Sequence, residues 1–456
     1  MARAIPAGIF RQYDIRGIVG RDLDANVAEA VGRAFALYAS AKGVRGAVAV
    51  GRDNRPSGGD LRDGLVAGLT KAGYDVVDVG VVPTPALYWA LHNVNVVGGI
   101  QITGSHNPPE YNGFKLSLGK GSLHGEDIQE LYRLTSAASP AGGGKVRNEA
   151  VIDRYVSDIV ARTGPLKRPI KVVYDCGNGA GSLVAPQLFA KLGVGGRGLF
   201  CESDGTFPNH HPDPTVPENL EDLIAAVRKD QAEIGIAFDG DADRIGVVDD
   251  AGTIVWGDRI LIVYAQDVLA RTGRGQPIIF DVKCSQALPD AITKAGGKPI
   301  MWKTGHSLIK DKMSETKAPI AGEMSGHMFF SEGFYGHDDA LYGAARLLRI
   351  VADSGKTIRE MLADVPDFVS TPEIRIEVPE EEKFAIVARA VDHFRRLHDV
   401  IDVDGVRVLF GDGWGLIRAS NTQPVLVARY EARTPQRLAA IRGEMETWLR
   451  SQGVRV

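Results

Sequence analysis

The sequence predicts an α/β protein built in successive blocks and closed by a smaller α+β unit. Three observations carry this. Short apolar runs, glycine-rich turns and amphipathic helices follow one another repeatedly along the chain. That alternation builds βαβ units and covered, largely parallel sheets. Glycine makes up 54 of 456 residues, well above the usual ~7%, with no collagen period, as expected for many tight βα connections. From residue 368 onward the pattern changes to grouped strands with few helices, which marks a separate core. At ~150 residues per domain the length alone gives roughly three domains.

The elements read in order as follows. Residues 46–50 are a buried strand, followed by the loop Gly51-Arg52-Asp53-Asn54-Arg55-Pro56. Ser57 is an N-cap candidate. Leu61, Leu65, Val66 and Leu69 recur at helical spacing, and Gly73 stops that helix. Residues 74–79 and 96–102 are the next strands. Residues 170–174 form a strand, Gly177-Asn178-Gly179-Ala180-Gly181 a turn, and 182–192 a helix. That turn is not Gly-x-Gly-x-x-Gly, so no dinucleotide is inferred. Strands at 233–238 and 245–249 flank an acidic loop, and 277–282, 285–295 and 299–302 make a further strand–helix–strand unit. The last block has strands near 372–377, 405–409, 414–418 and 425–431, with a helix near 380–398. Its terminal helix has Thr434 as N-cap, Pro435 in first position, and Leu438, Ile441, Met445 and Trp448 on one face. Linkers are expected near 249–252 and 364–367. The stretch 136–144 is either a linker or a surface loop of the first block.

The bulk properties exclude several classes. Net charge is 53 − 57 = −4, so there is no basic field for nucleic acid. No run approaches ~18 apolar residues, so no membrane span is expected. The first residues lack the apolar core of a secretory signal. Cys176, Cys201 and Cys284 are few, odd in number and far apart in sequence. They make no disulfide framework and fit a reducing compartment, so a cytoplasmic protein is expected.

Four loops carry the chemistry. Thr103-Gly104-Ser105-His106-Asn107-Pro108-Pro109 follows an apolar strand and places Ser105 where α/β sheets present ligands. A Ser-His-Asp hydrolase is disfavoured, because the nucleophile elbow needs glycine where Asn107 stands. Adjacent Ser105 and His106 should also point apart in an extended segment. Asp239-Gly240-Asp241-Ala242-Asp243-Arg244 sets three carboxylates at alternate positions, a hard oxygen cage for magnesium or calcium. An EF-hand fails, with Arg244 at its glycine position and Asp250 at its final glutamate. Gly322-Glu323-Met324-Ser325-Gly326-His327 is a loop that a small ligand can approach closely. Arg418-Ala419-Ser420-Asn421-Thr422 offers a guanidinium fork with hydroxyl and amide donors, a set suited to phosphate. Each alone also reads as an ordinary turn. Tyr13, Arg16, Lys115, Lys283 and His306 lie near further strand ends.

Together and in this order the four loops resemble the α-D-phosphohexomutase superfamily over essentially the whole chain, its bacterial phosphomannomutase/phosphoglucomutase branch above all. The resemblance implies three related α/β domains with mixed sheets plus a C-terminal α+β domain, heart-shaped around a central cleft, the fourth domain mobile. Expected bounds are 1–150 for the serine loop, 151–253 for the metal loop, 254–367 for the sugar loop and 368–456 for the phosphate loop. It implies that Ser105 carries phosphate and that Asp239, Asp241 and Asp243 hold Mg2+ with it. It gives Glu323 and Ser325 to the sugar hydroxyls, and Arg418, Ser420, Asn421 and Thr422 to the phosphate that does not react. Tyr13, Arg16, Lys115, Arg244, Lys283, His306 and His327 match further active-site positions, with Lys115 and His327 both candidates for the general acid/base.

The implied activity is reversible interconversion of hexose 1-phosphate and hexose 6-phosphate through a hexose 1,6-bisphosphate, on glucose and mannose, by a monomer acting on phosphosugars. A phosphoserine of about −2, the three aspartates, the metal and a substrate phosphate leave about −5. Arg16, Lys115, Arg244, Lys283 and Arg418 are five cations to set against it. A phosphoglucosamine mutase usually resembles Gly-Glu-Gln-Ser-Gly-His where this chain has Met324. A non-catalytic phosphosugar-binding protein would not need Ser105 and all three aspartates. A serine-linked phosphatase would need water where closure of the last domain excludes it.

Overall fold

The computed structural model describes residues 5–138, 142–421 and 423–456. The chain builds four sheets in sequence. The first runs in the order Ile15–Ile18, Tyr111–Leu118, Gly98–Ile102, Val48–Arg52, Val76–Val81, Val146–Asn148. Its last four strands are mutually parallel, whereas Tyr111–Leu118 runs antiparallel to both its neighbours. Helices Ala25–Ala41 and Gly58–Lys71 cover one face. They cross so closely that a Cβ on Gly68 would meet the Glu29 carbonyl oxygen at 2.0 Å. Helix Thr84–Asn93 covers the other face and joins a core continuous with the second and third sheets.

The second sheet is ordered Ile254–Val255, Ile245–Asp249, Ile234–Phe238, Lys171–Asp175, Gly195–Leu199, and the third Lys298–Trp302, Pro277–Asp281, Ile320–Gly322, Met328–Phe330. The fourth is wholly antiparallel. Along its strand Gly413–Ala419 the side chains alternate. Ile417 and Ala419 face the helices Lys383–Phe394 and Pro435–Ser451, while Trp414 and Leu416 face Val282 of the third block.

The largely parallel sheets read from the sequence are therefore mixed in each of the first three blocks, as the family pattern implies. The cause is one recurring device. Strand Gly98–Ile102 returns as Tyr111–Leu118, Ile234–Phe238 as Ile245–Asp249, and Ile320–Gly322 as Met328–Phe330, each pair antiparallel. The loops between them are too short for the dozen or more residues of a parallel crossover. Those three hairpin loops are the serine, acidic and Gly-Glu-Met-Ser-Gly-His loops. The fourth loop joins antiparallel Gly413–Ala419 and Val425–Ala432 in the same way.

Local readings need some corrections. Ser57 occupies the N-cap position but makes no cap; its hydroxyl accepts from Asn112 Nδ2 at 2.9 Å. Residues 182–192 divide into a 3-10 turn, Ala180–Leu183, and a helix, Ala185–Lys191, parted at Val184, with Pro186 in the helix's first turn where its missing N–H costs nothing. The helix near 380–398 spans Lys383–Phe394 and is followed by a strand, Asp399–Ile401. Thr434 does cap the terminal helix, accepting from the Arg437 amide at 3.2 Å. The stretch 136–144 precedes the last strand of the first sheet, so it is a loop of that block; its residues 139–141 lie outside the described residues. Among the described residues no helix is long and apolar enough to cross a membrane.

Candidate active site

Ser105 sits at the start of the first hairpin loop, with φ +49 and its side chain buried. The left-handed backbone costs energy for a non-glycine residue and persists only where neighbours over-determine it. Here Arg55 does so. Its guanidinium donates to the carbonyls of Ser105 (2.7 Å), Asn107 (2.6 Å), Pro108 (2.5 Å) and Tyr111 (3.0 Å). Asp53 holds Arg55 in turn and accepts from the Thr103 hydroxyl and the Gly104 amide. Gly104 is required because a Cβ there would lie 2.4 Å from Arg55 Cζ. The sequence placed Asp53 and Arg55 only in a connecting loop. Arg55→Ala removes these donors and leaves Asp53 buried without its partner. We expect a stability loss of ~3–5 kcal/mol, read from the urea midpoint; an unchanged midpoint would remove Arg55 as the holder of this loop.

The Ser105 hydroxyl donates to Asp239 Oδ2 at 3.1 Å and lies 3.2 Å from His106 Nδ1. The expectation that Ser105 and His106 point apart is thus wrong, because the segment is left-handed rather than extended at Ser105. Burial pushes His106 well below the usual imidazole range. Among the described residues no carboxylate orients His106, so no Ser-His-Asp triad forms.

Asp239, Asp241 and Asp243 are fully buried, with one oxygen of each within 4.8 Å of the others. Ala242 adopts φ +58, which folds the loop tightly enough to bring them together. Lys115, on strand Tyr111–Leu118, reaches across to Asp241 at 2.8 Å and also pairs with Asp243. Thr84 and Thr103 donate to the same Asp241 oxygen. Burial, then the charges of Asp243 and Asp241, drive Asp239 well above the usual carboxylate range. Burial also works to raise Asp241, but the Lys115 ammonium outweighs it and holds Asp241 below that range. Burial opposes the Lys115 charge, yet the two carboxylates raise it well above the ordinary amine. Asp241 Oδ1 and Asp243 Oδ1 are buried without a hydrogen-bond partner. Hard, convergent oxygens with spare lone pairs are the donor set of a divalent cation.

Arg244 Nε donates to His327 Nε2 at 2.9 Å. The other imidazole nitrogen, Nδ1, therefore carries the proton of a neutral His327. It lies 3.2 Å from Asp338 Oδ2 and 3.6 Å from Asp243 Oδ1. These three groups also converge within 4.8 Å, but a protonated Nδ1 has no lone pair for a metal. Burial opposes the Asp338 charge, and Lys310, His306 and His327 together hold Asp338 well below the usual range. His306 stacks on His327, with ring centroids 5.8 Å apart. Glu323 is buried and accepts from the Gly305 amide at 2.6 Å. Burial raises it above the usual range. Ser325 is half-buried at the tip of the same turn.

The fourth loop meets the first block directly. Asn421 Nδ2 donates to the Tyr13 hydroxyl at 2.5 Å, and Tyr13 donates to the Thr304 carbonyl at 2.7 Å. Arg418 pairs with Asp404 at 2.9 Å, and Asp404 also accepts from the Thr304 amide. The Ser420 hydroxyl accepts from the Gln423 amide at 3.2 Å. Thr422 lies outside the described residues. Arg16 pairs with Asp14 and donates to Asn107 Oδ1 and the Gly104 carbonyl. Lys283 pairs with Glu373 at 2.6 Å, which holds Glu373 down at about 2.

The five cations counted from the sequence are thus not free charges. Arg16, Lys115, Lys283 and Arg418 each hold a carboxylate, and Arg244 stands 4.0 Å from Asp239. Glu373 and Asp404, and the His327 partner Asp338, are the carboxylates that sequence reasoning missed, since none lies in a motif; Asp14 stands only two residues before Arg16.

Models of the phosphoglucomutase/phosphomannomutase family match the chain in four successive segments. Alpha/beta/alpha domain I matches residues 7–141, domain II 153–252, domain III 256–368, and the C-terminal domain 373–447. A phosphomannomutase/phosphoglucomutase of Pseudomonas putida is 50% identical over 452 residues, covering 98% of this chain and 96% of its own. A phosphoglucomutase of Neisseria gonorrhoeae is 47% identical over 454 residues, covering 98% of each. The crystal structure of a phosphoglucomutase/phosphomannomutase family protein from Burkholderia thailandensis superposes with a TM-score of 0.91 at 45% identity, covering 98% of each chain.

Proposed function

The chain belongs to the phosphoglucomutase/phosphomannomutase family and interconverts hexose 1-phosphate and hexose 6-phosphate, and we propose that it does so by carrying a phosphate on Ser105. The observation that supports this most is the placing of the Ser105 hydroxyl 3.1 Å from the buried Asp239, Asp241, Asp243 cluster. The phosphoserine gives its phosphoryl group to the free hydroxyl of a hexose phosphate, producing a hexose 1,6-bisphosphate. The bisphosphate turns round, and Ser105 takes back the other phosphate. Phosphoryl transfer needs mainly positioning and charge neutralisation.

Asp239, Asp241 and Asp243 would hold Mg2+ beside the phosphoserine. Bound there, the ion supplies Lewis-acid neutralisation of phosphoryl charge. Lys115, fixed as an ammonium by two carboxylates, neutralises charge and is a poor base. Proton handling at the sugar hydroxyl falls to His327, which can donate its Nδ1 proton as it stands and can accept a proton at Nε2 only once Arg244 moves off that nitrogen. As Ser105 regains phosphate its own proton has two acceptors, Asp239 Oδ2 and His106 Nδ1.

Arg418, Ser420, Asn421 and Thr422 hold the phosphate that is not transferred, with Lys283 and Tyr13 at the same end of the cleft. Asp404 takes only the Nε edge of Arg418 among the described contacts, which leaves the terminal nitrogens for phosphate. Hydrogen bonds to charged groups are worth about 1.5–3 kcal/mol, so Arg418→Ala is expected to raise KM about ten- to hundredfold. Steady-state kinetics on glucose 1-phosphate decide this; unchanged KM and kcat would take the loop out of the site.

Glu323 and Ser325 contact the hydroxyls on carbons 3 and 4, which nearly superpose when the sugar flips. Glucose and mannose differ only at carbon 2, outside that pair. Without a buried partner for the 2-hydroxyl, discrimination is expected to be ~1–3 kcal/mol, not the 10⁴-fold and more of a dedicated hydrogen bond. The test is kcat/KM for both 1-phosphates at one saturating concentration of bisphosphate. A ratio beyond about a thousandfold would mean that carbon 2 is read directly.

A further inference from the structure

The cysteines that lie far apart in sequence are not all apart in space. All three are free thiols, and Cys176 Sγ and Cys201 Sγ are 3.2 Å from each other. Both follow the ends of the paired parallel strands Lys171–Asp175 and Gly195–Leu199. The Cys176 amide donates to the Leu199 carbonyl at 3.1 Å, which docks the two strand ends. Phe200 then adopts φ +49, a conformation bulky residues rarely take. This kink turns the chain so that the Cys201 sulfur returns over Cys176. Gly198 leaves the room, since a Cβ there would stand 2.5 Å from Cys201 Sγ.

The two thiols differ in environment. Cys176 is fully buried and Cys201 half-buried. The Cys176 S–H beside Cys201 lowers the Cys201 thiol, whereas burial raises Cys176 well above the ordinary range. The more exposed, more acidic thiol is the one an oxidant meets first.

We propose that Cys176 and Cys201 form a reversible redox pair, closed by hydrogen peroxide to a disulfide within the chain. The Cys201 thiolate attacks one peroxide oxygen, and the O–O bond breaks. Cys201 becomes a sulfenic acid, and the departing hydroxide takes a proton to become water. The Cys176 thiol then attacks the sulfenic sulfur, the S–O bond breaks, and its proton leaves with that hydroxide as a second water. Two thiols lose two electrons and two protons, and one peroxide becomes two waters. The sulfurs close from 3.2 Å to ~2.05 Å. An added dithiol reopens the bridge by exchange. The turn that follows Cys176 touches the acidic loop and the 51–56 loop whose Asp53 and Arg55 hold the serine loop: Asn178 O accepts from Asn54 Nδ2 at 2.6 Å, and the Ala180 amide donates to Gly240 O at 2.8 Å. A bridge at this point fixes the turn on which those contacts rest.

The experiment treats the native chain with dilute hydrogen peroxide, quenches it, unfolds it in N-ethylmaleimide, and maps the peptides by mass. The expected result is one adduct, on Cys284, in place of three, with the Cys176 and Cys201 peptides joined and dithiothreitol restoring all three. Cys201→Ser should leave Cys176 an alkylatable thiol under the same treatment; this variant changes the half-buried member, so it keeps the fold if Cys176→Ser does not. Three adducts after peroxide would overturn the proposal. So would a sulfinic acid on Cys201 beside an alkylated Cys176, a bridge between two chains, or oxidation of Cys176 in the Cys201→Ser variant.

Discussion

Ser105→Ala is expected to lower mutase turnover by about a thousandfold or more, because it removes the hydroxyl proposed to carry the phosphate between the two half-reactions. The loss should be catalytic and not structural. The loop is held by the Arg55 contacts to backbone carbonyls and by the Ser105 amide, which donates to the Thr103 hydroxyl at 2.8 Å. None of these uses the Ser105 hydroxyl. The hydroxyl faces only Asp239 and His106, so its removal should shift the melting temperature little. Serine and alanine pay a similar cost at φ +49, since both carry a Cβ. A folded Ser105→Ala protein with wild-type kcat would refute the assignment.

The second large effect concerns the acidic loop. Even outer partners of metal ligands cost about 10–100-fold when lost, so Asp241→Asn is expected to cost more than ~100-fold in kcat/KM. The substitution acts twice. It takes one carboxylate from the set that would hold Mg2+. It also removes the charge that Lys115 pairs with, since an amide oxygen left facing Lys115, Thr84 and Thr103 puts the uncharged NH2 at the other position. Exhaustive chelation tests the metal separately from the side chain. Turnover should vanish and return on addition of magnesium. Turnover that survives chelation would count decisively against a metal at Asp239, Asp241 and Asp243.

Much of this was legible in the sequence, and the reasons are local. The four loops are contiguous motifs, so their residue types and order could be read directly. Strand Ile245–Asp249, the turn at Asp249 and the Thr434 cap depend on neighbours a few residues away, and they stand where patterning put them. The mixed sheets followed from the family resemblance and not from the residue pattern, because a buried strand looks the same in either direction. The short gap between residues 102 and 111 held the signal, being too brief for a crossover. Asp338, Asp404 and Glu373 were invisible because their partners His327, Arg418 and Lys283 meet them only through the fold. Arg55 was overlooked because it acts on backbone carbonyls, which leave no mark in a side-chain pattern. The nearness of Cys176 and Cys201 depends on the left-handed turn at Phe200, and phenylalanine does not announce one.

The central claim is that Ser105 carries the transferred phosphate, and intact-protein mass with peptide mapping tests it most directly. The purified chain is incubated with excess glucose 1,6-bisphosphate and, separately, with glucose 6-phosphate alone. The account predicts one added phosphate after bisphosphate, mapped to Ser105, and its loss to the sugar when the monophosphate is then supplied. An unmodified mass in a preparation that turns over, or a phosphate that maps elsewhere and stays put through turnover, would contradict it.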